Sequence, residues 1–298
     1  MQTVAAKTIV TRMSSGGGWF GAAYNMNIYR GCSHGCIYCD SRSECYRPGN
    51  FDDVKIKANA LQIIRDDLRR KAKRGIVATG AMSDPYNPFE ATQLATRHAL
   101  ELLNAYGFGV SIATKSPLVE RDADILCDIK AHSPAIVKMT VTTADDALCK
   151  IIEPYAAPSS ARFAAVRALS EKGIYCVVLM MPLLPFINDT IENVAAIVRL
   201  AKENGARAVY PSFGMTMRQG SREYYYQQLD AHFPDVRQKY EKRYGVRYSC
   251  SSPHAKTLYA SFAAQCRAAG LLYHMRDIIK SVHLGTNMSQ LSLFADNE

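Results

Sequence analysis

Short apolar runs alternate with longer stretches of helical periodicity through the first two thirds of the chain. Runs over 24–29, 76–79, 110–114, 136–142, 175–181 and 208–210 have the length and branched-aliphatic content of buried strands. Between them, 57–73, 92–106, 122–131, 159–172 and 190–204 repeat apolar positions at helical spacing. Gly107, Gly173 and Gly205 stand where three of these helices should stop, and Asp189 is placed to cap the helix that begins near Thr190. Strictly alternating strands and helices predict a parallel sheet covered by helices. Six strands fall short of a closed eightfold barrel, so the expected fold is α/β, a partial (β/α)6 TIM-like barrel. Its chemistry belongs at the C-terminal ends of the strands.

Past Phe213 the alternation stops. Segments 221–229, 235–244, 255–269 and 275–282 read as helices. The expected organisation is a flexible N-terminal segment at 1–23, introduced by the run Ser14-Ser15-Gly16-Gly17-Gly18, then a barrel at 24–215. A C-terminal helical extension at 216–285 packs on the barrel, and a flexible tail occupies 286–298.

Composition adds bounds. The 298 residues are 48% hydrophobic, enough for a sizeable core. No run of about 18 apolar residues is present, and the first dozen residues lack the apolar core of a signal peptide, so a cytoplasmic location and no membrane partner are expected. The nine cysteines are an odd count in a long chain, which argues against a disulfide framework. The net charge of +9 permits attraction to nucleic acid without requiring it. Its local excesses, at 65–74 and 237–247, read as solvated helix faces.

Four of the cysteines cluster. Cys32, Cys36 and Cys39 form a C-x3-C-x2-C loop with Tyr38 before the last, and Cys45 follows. Three thiolates on one loop hold three corners of a [4Fe-4S] cluster and leave one iron open, whereas four cysteines are the usual ligand set. The competing reading is zinc held by these three with Cys45 or His34. Zinc sites commonly use paired C-x2-C knuckles, and only one such pair is present, which favours the cluster.

This loop resembles that of the radical S-adenosylmethionine (SAM) superfamily. Within it, Tyr29-Arg30-Gly31-Cys32, Met82-Ser83-Asp84-Pro85-Tyr86-Asn87-Pro88, Thr114-Lys115-Ser116, Glu153-Pro154-Tyr155 and Leu183-Leu184-Pro185-Phe186-Ile187-Asn188-Asp189 resemble the spore photoproduct lyase-like family over roughly 24–210. The resemblance implies two cofactors, a [4Fe-4S] cluster on Cys32, Cys36 and Cys39 and S-adenosylmethionine on the open iron, with reductive cleavage to a 5′-deoxyadenosyl radical. It implies an electron donor such as flavodoxin or ferredoxin. Tyr38 would lie against the adenine, Ser83 and Asp84 would meet the SAM amino group, and Lys115 and Thr142 its carboxylate or ribose.

The chain departs from its best-known relative at the hydrogen relay. The relay cysteine two residues before the Ser-Asp pair is replaced by Ala81, and the tyrosine after the last cluster cysteine by Asp40. Tyr38 remains, and Cys45 is the alternative hydrogen source.

Near the C-terminus, Gln290-Leu291-Ser292-Leu293-Phe294 resembles the peptide with which bacterial repair and replication proteins dock on the DNA sliding clamp. The expected function is a radical SAM enzyme, lyase-like, acting on DNA in repair. The alternatives are a radical SAM enzyme modifying RNA, a peptide or a small molecule, and a non-enzymatic metal-binding, clamp-associated protein.

Overall fold

The computed structural model describes residues 1–14, 17–47 and 49–284. Six parallel strands stand side by side in chain order: β1 (Ala22–Met26), β2 (Ile76–Thr79), β3 (Gly109–Thr114), β4 (Ala135–Thr140), β5 (Tyr175–Met180) and β6 (Ala208–Pro211). The period-2 alternation of the pleat divides their side chains. Val137, Val178 and Val209 face the helices and share a core with Leu103, Leu126, Val166 and Val198. Their neighbours Ile136, Val177 and Ala208 face the barrel interior. The expected partial (β/α)6 barrel is the observed fold.

Helices Ala60–Arg69, Ala95–Ala105, Ala123–Lys130, Ser159–Glu171 and Ile191–Glu203 cover the outside, at the expected places but with shorter bounds. The helix expected from 92 is broken at Leu94, which takes φ +52°. The buried Glu90 carboxylate accepts from the Thr96 and Arg97 amides there and starts a new helix. Thr190, not Asp189, caps the helix from Ile191, its hydroxyl accepting from the Asn193 amide at 3.1 Å. Asp189 instead accepts from the Phe186 amide and the Ser252 hydroxyl.

The N-terminal segment expected to be flexible carries two strands. Val10–Arg12 pairs antiparallel with β1, and Thr3–Val4 pairs with Lys55–Lys57. Asp67, on the first barrel helix, explains the order. Its carboxylate accepts from the Ile9 and Val10 amides at 2.7 and 2.9 Å and from the Thr8 hydroxyl. Phe20, also in that segment, is fully buried at the barrel floor.

The helices after the barrel strands separate into three positions. Ser221–His232 and Val236–Tyr244 pack through Tyr225, Leu229 and Tyr240 against Ile37 and Tyr38 of the cysteine loop. Ala255–Ala269 lies on Ile191–Glu203 and adds Leu258 and Phe262 to the outer core, acting as the sixth barrel helix. Met275–Leu284 closes the floor with Ile278 and Val282. No helix among the described residues is long and apolar enough to cross a membrane. The clamp-like peptide Gln290-Leu291-Ser292-Leu293-Phe294 lies outside the described residues.

Candidate active site

The cysteine loop follows β1 and its short successor strand Tyr29–Arg30, at the C-terminal mouth of the barrel. Backbone bonds fix it. The Cys32 amide donates to the Phe51 carbonyl, the Ile37 amide to the Ile152 carbonyl and the Tyr155 amide to the His34 carbonyl, at 2.9 to 3.1 Å. Gly35 makes this docking possible: at φ +69°, a Cβ there would stand 2.6 Å from the Tyr155 ring. Cys36 is buried, and Cys32 and Cys39 are half-buried.

All three thiols line a recess of about 120 Å³, together with Ser83, Asp84 and Lys115. The recess opens into a barrel cavity of about 710 Å³. Cys39, Gly80, Ala81, Met82, Lys115 and Thr140 line both. Gly80, at φ +95°, lets the turn after β2 lie against β3; a Cβ would stand 2.0 Å from the Ala113 carbonyl oxygen. Among the described residues no three His, Cys, Asp or Glu side chains converge as a single metal ion requires. Three free thiols around one recess, with no fourth, suit a cluster with an open corner better. Burial pushes the Cys32 thiol up to about 11 and Cys36 higher, so a bound metal has to supply the deprotonation.

Ser83 and Asp84 sit beneath this recess. The Ser83 hydroxyl donates to the Gly31 carbonyl at 2.5 Å, tying the turn after β2 to the cysteine loop. Asp84 is nearly saturated. Oδ1 accepts from the Tyr86 amide and the Thr114 hydroxyl, Oδ2 accepts from the Lys115 amide at 2.8 Å, and His34 Nε2 stands 3.0 Å from Oδ2. Burial opposes its ionisation, but the His34 ring and these donors outweigh it and hold the carboxyl at about 2. Lys115 Nζ lies 5.8 Å from the Tyr38 ring centre, on the wall shared by the two spaces. Burial works against its charge, and the facing Cys36 and Glu153 groups offset that and keep it an ammonium.

Two expectations are corrected. β4 ends at Thr140, two residues before the expected end, so Thr140 faces the mouth. Thr142 is fully buried behind it, its hydroxyl 3.4 Å from Glu153 Oε1 and its carbonyl accepting from Asn188 and Asn193. Cys45 is exposed and lines neither space. In its tight turn Ser43 points inward, bonded to Ser221, and Tyr46 reaches the cavity, which leaves Cys45 facing out.

Tyr38 lines the cavity with its ring, and its hydroxyl donates to Glu153. Burial and that carboxylate push the phenol well above its usual range, so it stays protonated. Glu153 in turn pairs with Arg162, whose guanidinium also donates to the Thr140 carbonyl at 2.9 Å. At the mouth, Asp40 pairs with Arg218, which also donates to the Tyr46 and Tyr248 hydroxyls.

A family profile of the Radical SAM superfamily matches residues 26–201, more than half of the chain. The chain belongs to the radical SAM superfamily. Enzymes of this superfamily use a [4Fe-4S] cluster and S-adenosylmethionine. An uncharacterised protein of Mycobacterium tuberculosis is 30% identical over 228 residues, covering 74% of this chain and 67% of its own. An uncharacterised protein of Methanocaldococcus jannaschii is 33% identical over 172 residues, covering 57% and 63%. The fold resembles spore photoproduct lyase complexed with dinucleoside spore photoproduct, with a TM-score of 0.63 at 14% identity over 90% of this chain and 80% of that one. It also resembles the radical SAM methyltransferase TsrM from Kitasatospora setae, with a TM-score of 0.54 at 14% identity, over 88% and 58%.

Two residues of this radical SAM protein's cavity, Trp19 and Lys138, and the buried Arg162 behind its wall lie outside the expectations from sequence. Trp19 lay in a segment expected to be flexible. Arg162 looked like one more charge on a helix. Lys138 had a visible signal, a lone charge at an inward position of an otherwise apolar strand.

Proposed function

We propose that this radical SAM enzyme binds its cluster on Cys32, Cys36 and Cys39 and its S-adenosylmethionine in the adjoining recess, and acts on a substrate held in the barrel cavity. The observation that carries this reading is the continuity of the two spaces through Cys39, Ala81, Met82 and Lys115. A cluster bound there would supply the electron for reductive cleavage of S-adenosylmethionine to methionine and a 5′-deoxyadenosyl radical, which would take hydrogen from the substrate. The protein's own work is placement. Lys115 offers an ammonium to the SAM carboxylate. The Tyr38 ring, held by Glu153, flanks the adenine. Asp84 positions His34, Thr114 and the Lys115 backbone rather than reaching out, because its oxygens are already engaged.

For the substrate we propose DNA carrying a lesion, in a lyase-like repair reaction. Its support is the fold likeness to spore photoproduct lyase and the net charge of +9. Flavodoxin or ferredoxin would supply the electron, and the 290–294 peptide would dock on the sliding clamp. One observation favours the alternative of a small molecule: the 710 Å³ cavity has room for one compact ligand. Neither Cys45, which is exposed, nor Ala81 offers a thiol to the cavity, so a hydrogen relay through cysteine is not part of the proposal.

The test is 5′-deoxyadenosine formation by the anaerobically reconstituted protein with ultraviolet-irradiated DNA, intact DNA and no DNA. Stimulation by irradiated DNA alone supports repair. Equal turnover in all three discards the DNA reading and leaves the small-molecule one.

A further inference from the structure

Lys138 is the one residue of β4 whose chemistry contradicts its surroundings. It is 1% exposed, on a strand whose other residues are Ala135, Ile136, Val137, Met139 and Thr140. It stands in the inward row with Ile136 and Thr140, and it lines the 710 Å³ cavity. Its Nζ lies 5.0 Å from the Phe20 ring centre and 5.8 Å from that of Trp19, the aromatic pair at the barrel floor. Among the described residues it has no ion pair and no hydrogen bond. The other charged groups on the cavity wall are committed elsewhere: Asp40 to Arg218, and Lys115 to the cysteine recess.

Buried ammonium groups are ordinarily paired, because desolvating an unpaired one is expensive. The ring faces of Trp19 and Phe20 supply only part of that compensation. With nothing else facing it, burial alone lowers its pKa to about 7. A cation left without a counter-ion at the floor of a ligand-sized cavity is incomplete as a structural element. It is complete once an anion enters.

We infer that Lys138 is an anion subsite of the substrate cavity: it receives an oxyanion of the substrate, a carboxylate or a phosphate, and fixes which end of the molecule goes to the floor. The opposite end then faces Ala81 and Met82, where the recess joins the cavity. The inference rests on the reading of the barrel interior as the substrate cavity, and on nothing about the cluster or the radical. Lysine suits this role as a compact point charge that accepts either oxyanion. A phosphate of a nucleotide and a carboxylate of an amino acid or peptide share this chemistry, and the test separates them.

The experiment measures the apparent Tm of the anaerobic holoenzyme in sodium chloride, sodium acetate and sodium phosphate at matched ionic strength and pH, for the wild type and Lys138→Met. The wild type is expected to gain about 3–5 °C from the oxyanion that fits. Lys138→Met is expected to start from a higher Tm, because an unpaired buried charge is gone, and to lose the oxyanion response. Acetate alone raising Tm assigns a carboxylate, and phosphate alone a phosphate. A second measurement needs no variant: acetylation of Lys138 in the wild type, followed by peptide mass spectrometry, should slow in the effective anion. Equal gains in both proteins, a lower starting Tm in Lys138→Met, or acetylation that neither anion slows each overturns the inference. None of these readouts depends on S-adenosylmethionine cleavage, so a failure here is distinct from a failure of the radical SAM reading.

Discussion

Arg162 Nη2 stands 2.5 Å from Glu153 Oε2, and both side chains are fully buried. The pair joins the wall of the barrel to the segment that carries the cysteine loop, because Ile152 and Tyr155, on either side, hold Ile37 and His34 by backbone bonds. Burial alone would neutralise Glu153, but Arg162 and Lys115 keep its carboxyl below the usual range. Removing one partner leaves an uncompensated buried charge. Arg162→Met is therefore expected to lower unfolding stability by about 3–5 kcal/mol in a denaturant titration. Glu153→Gln keeps the shape but leaves the Arg162 and Lys115 cations without their counter-ion, so a loss at least as large is expected. Small losses for both would contradict a tightly coupled pair.

Lys138 makes stability depend on pH in a defined window. Its folded-state pKa of about 7 lies below the ordinary 10.5 of an unfolded lysine. Between these values the unfolded chain binds more protons, so stability rises with pH. Below pH 7 the full penalty of a buried ammonium is present, and it is relieved progressively from about 7 to 10.5. The difference in unfolding free energy between Lys138→Met and wild type should therefore shrink across that window. A difference that stays constant from pH 6 to 10 contradicts the placement of this side chain.

Gly80 tests the join between recess and cavity. Its φ of +95° and the 2.0 Å approach of a Cβ to the Ala113 carbonyl forbid a side chain. Gly80→Ala is expected to destabilise the protein by about 2–4 kcal/mol, read by chemical denaturation. Ala81→Gly, next to it and facing the open cavity, should cost under about 1 kcal/mol.

The binding role proposed for Lys115 can be tested by removing its charge. Lys115→Met should weaken S-adenosylmethionine binding by about 10- to 100-fold, the worth of one charge-assisted hydrogen bond. Equilibrium dialysis of the reconstituted protein measures this, with the cluster's visible absorbance as the control for folding. Unchanged affinity would remove Lys115 from the site.

The six-stranded barrel was legible because strand and helix periodicities alternate cleanly and helix-ending glycines punctuate them. The cysteine loop was legible because its spacing is itself the chemistry. The errors have local causes. The N-terminal segment looked loose because its order comes from Asp67, more than fifty residues away. Thr142 was taken for the mouth residue because an apolar run does not mark where pairing stops, and β4 stops at Thr140. Cys45 was judged by its closeness in sequence to the loop, while its tight turn points it outward. Arg162 is a charge that only tertiary structure shows to be buried, whereas Lys138 stands out in the sequence as the one charge in an apolar strand.

Iron content and 5′-deoxyadenosine formation, measured together on the anaerobically reconstituted protein with dithionite, test the central claim most directly. The account predicts about four iron atoms per chain and reductive cleavage of S-adenosylmethionine, both lost in Cys32→Ala, Cys36→Ala and Cys39→Ala and both retained in Cys45→Ala. Zinc in place of iron, or cleavage that survives loss of any one of the three cysteines, would contradict it.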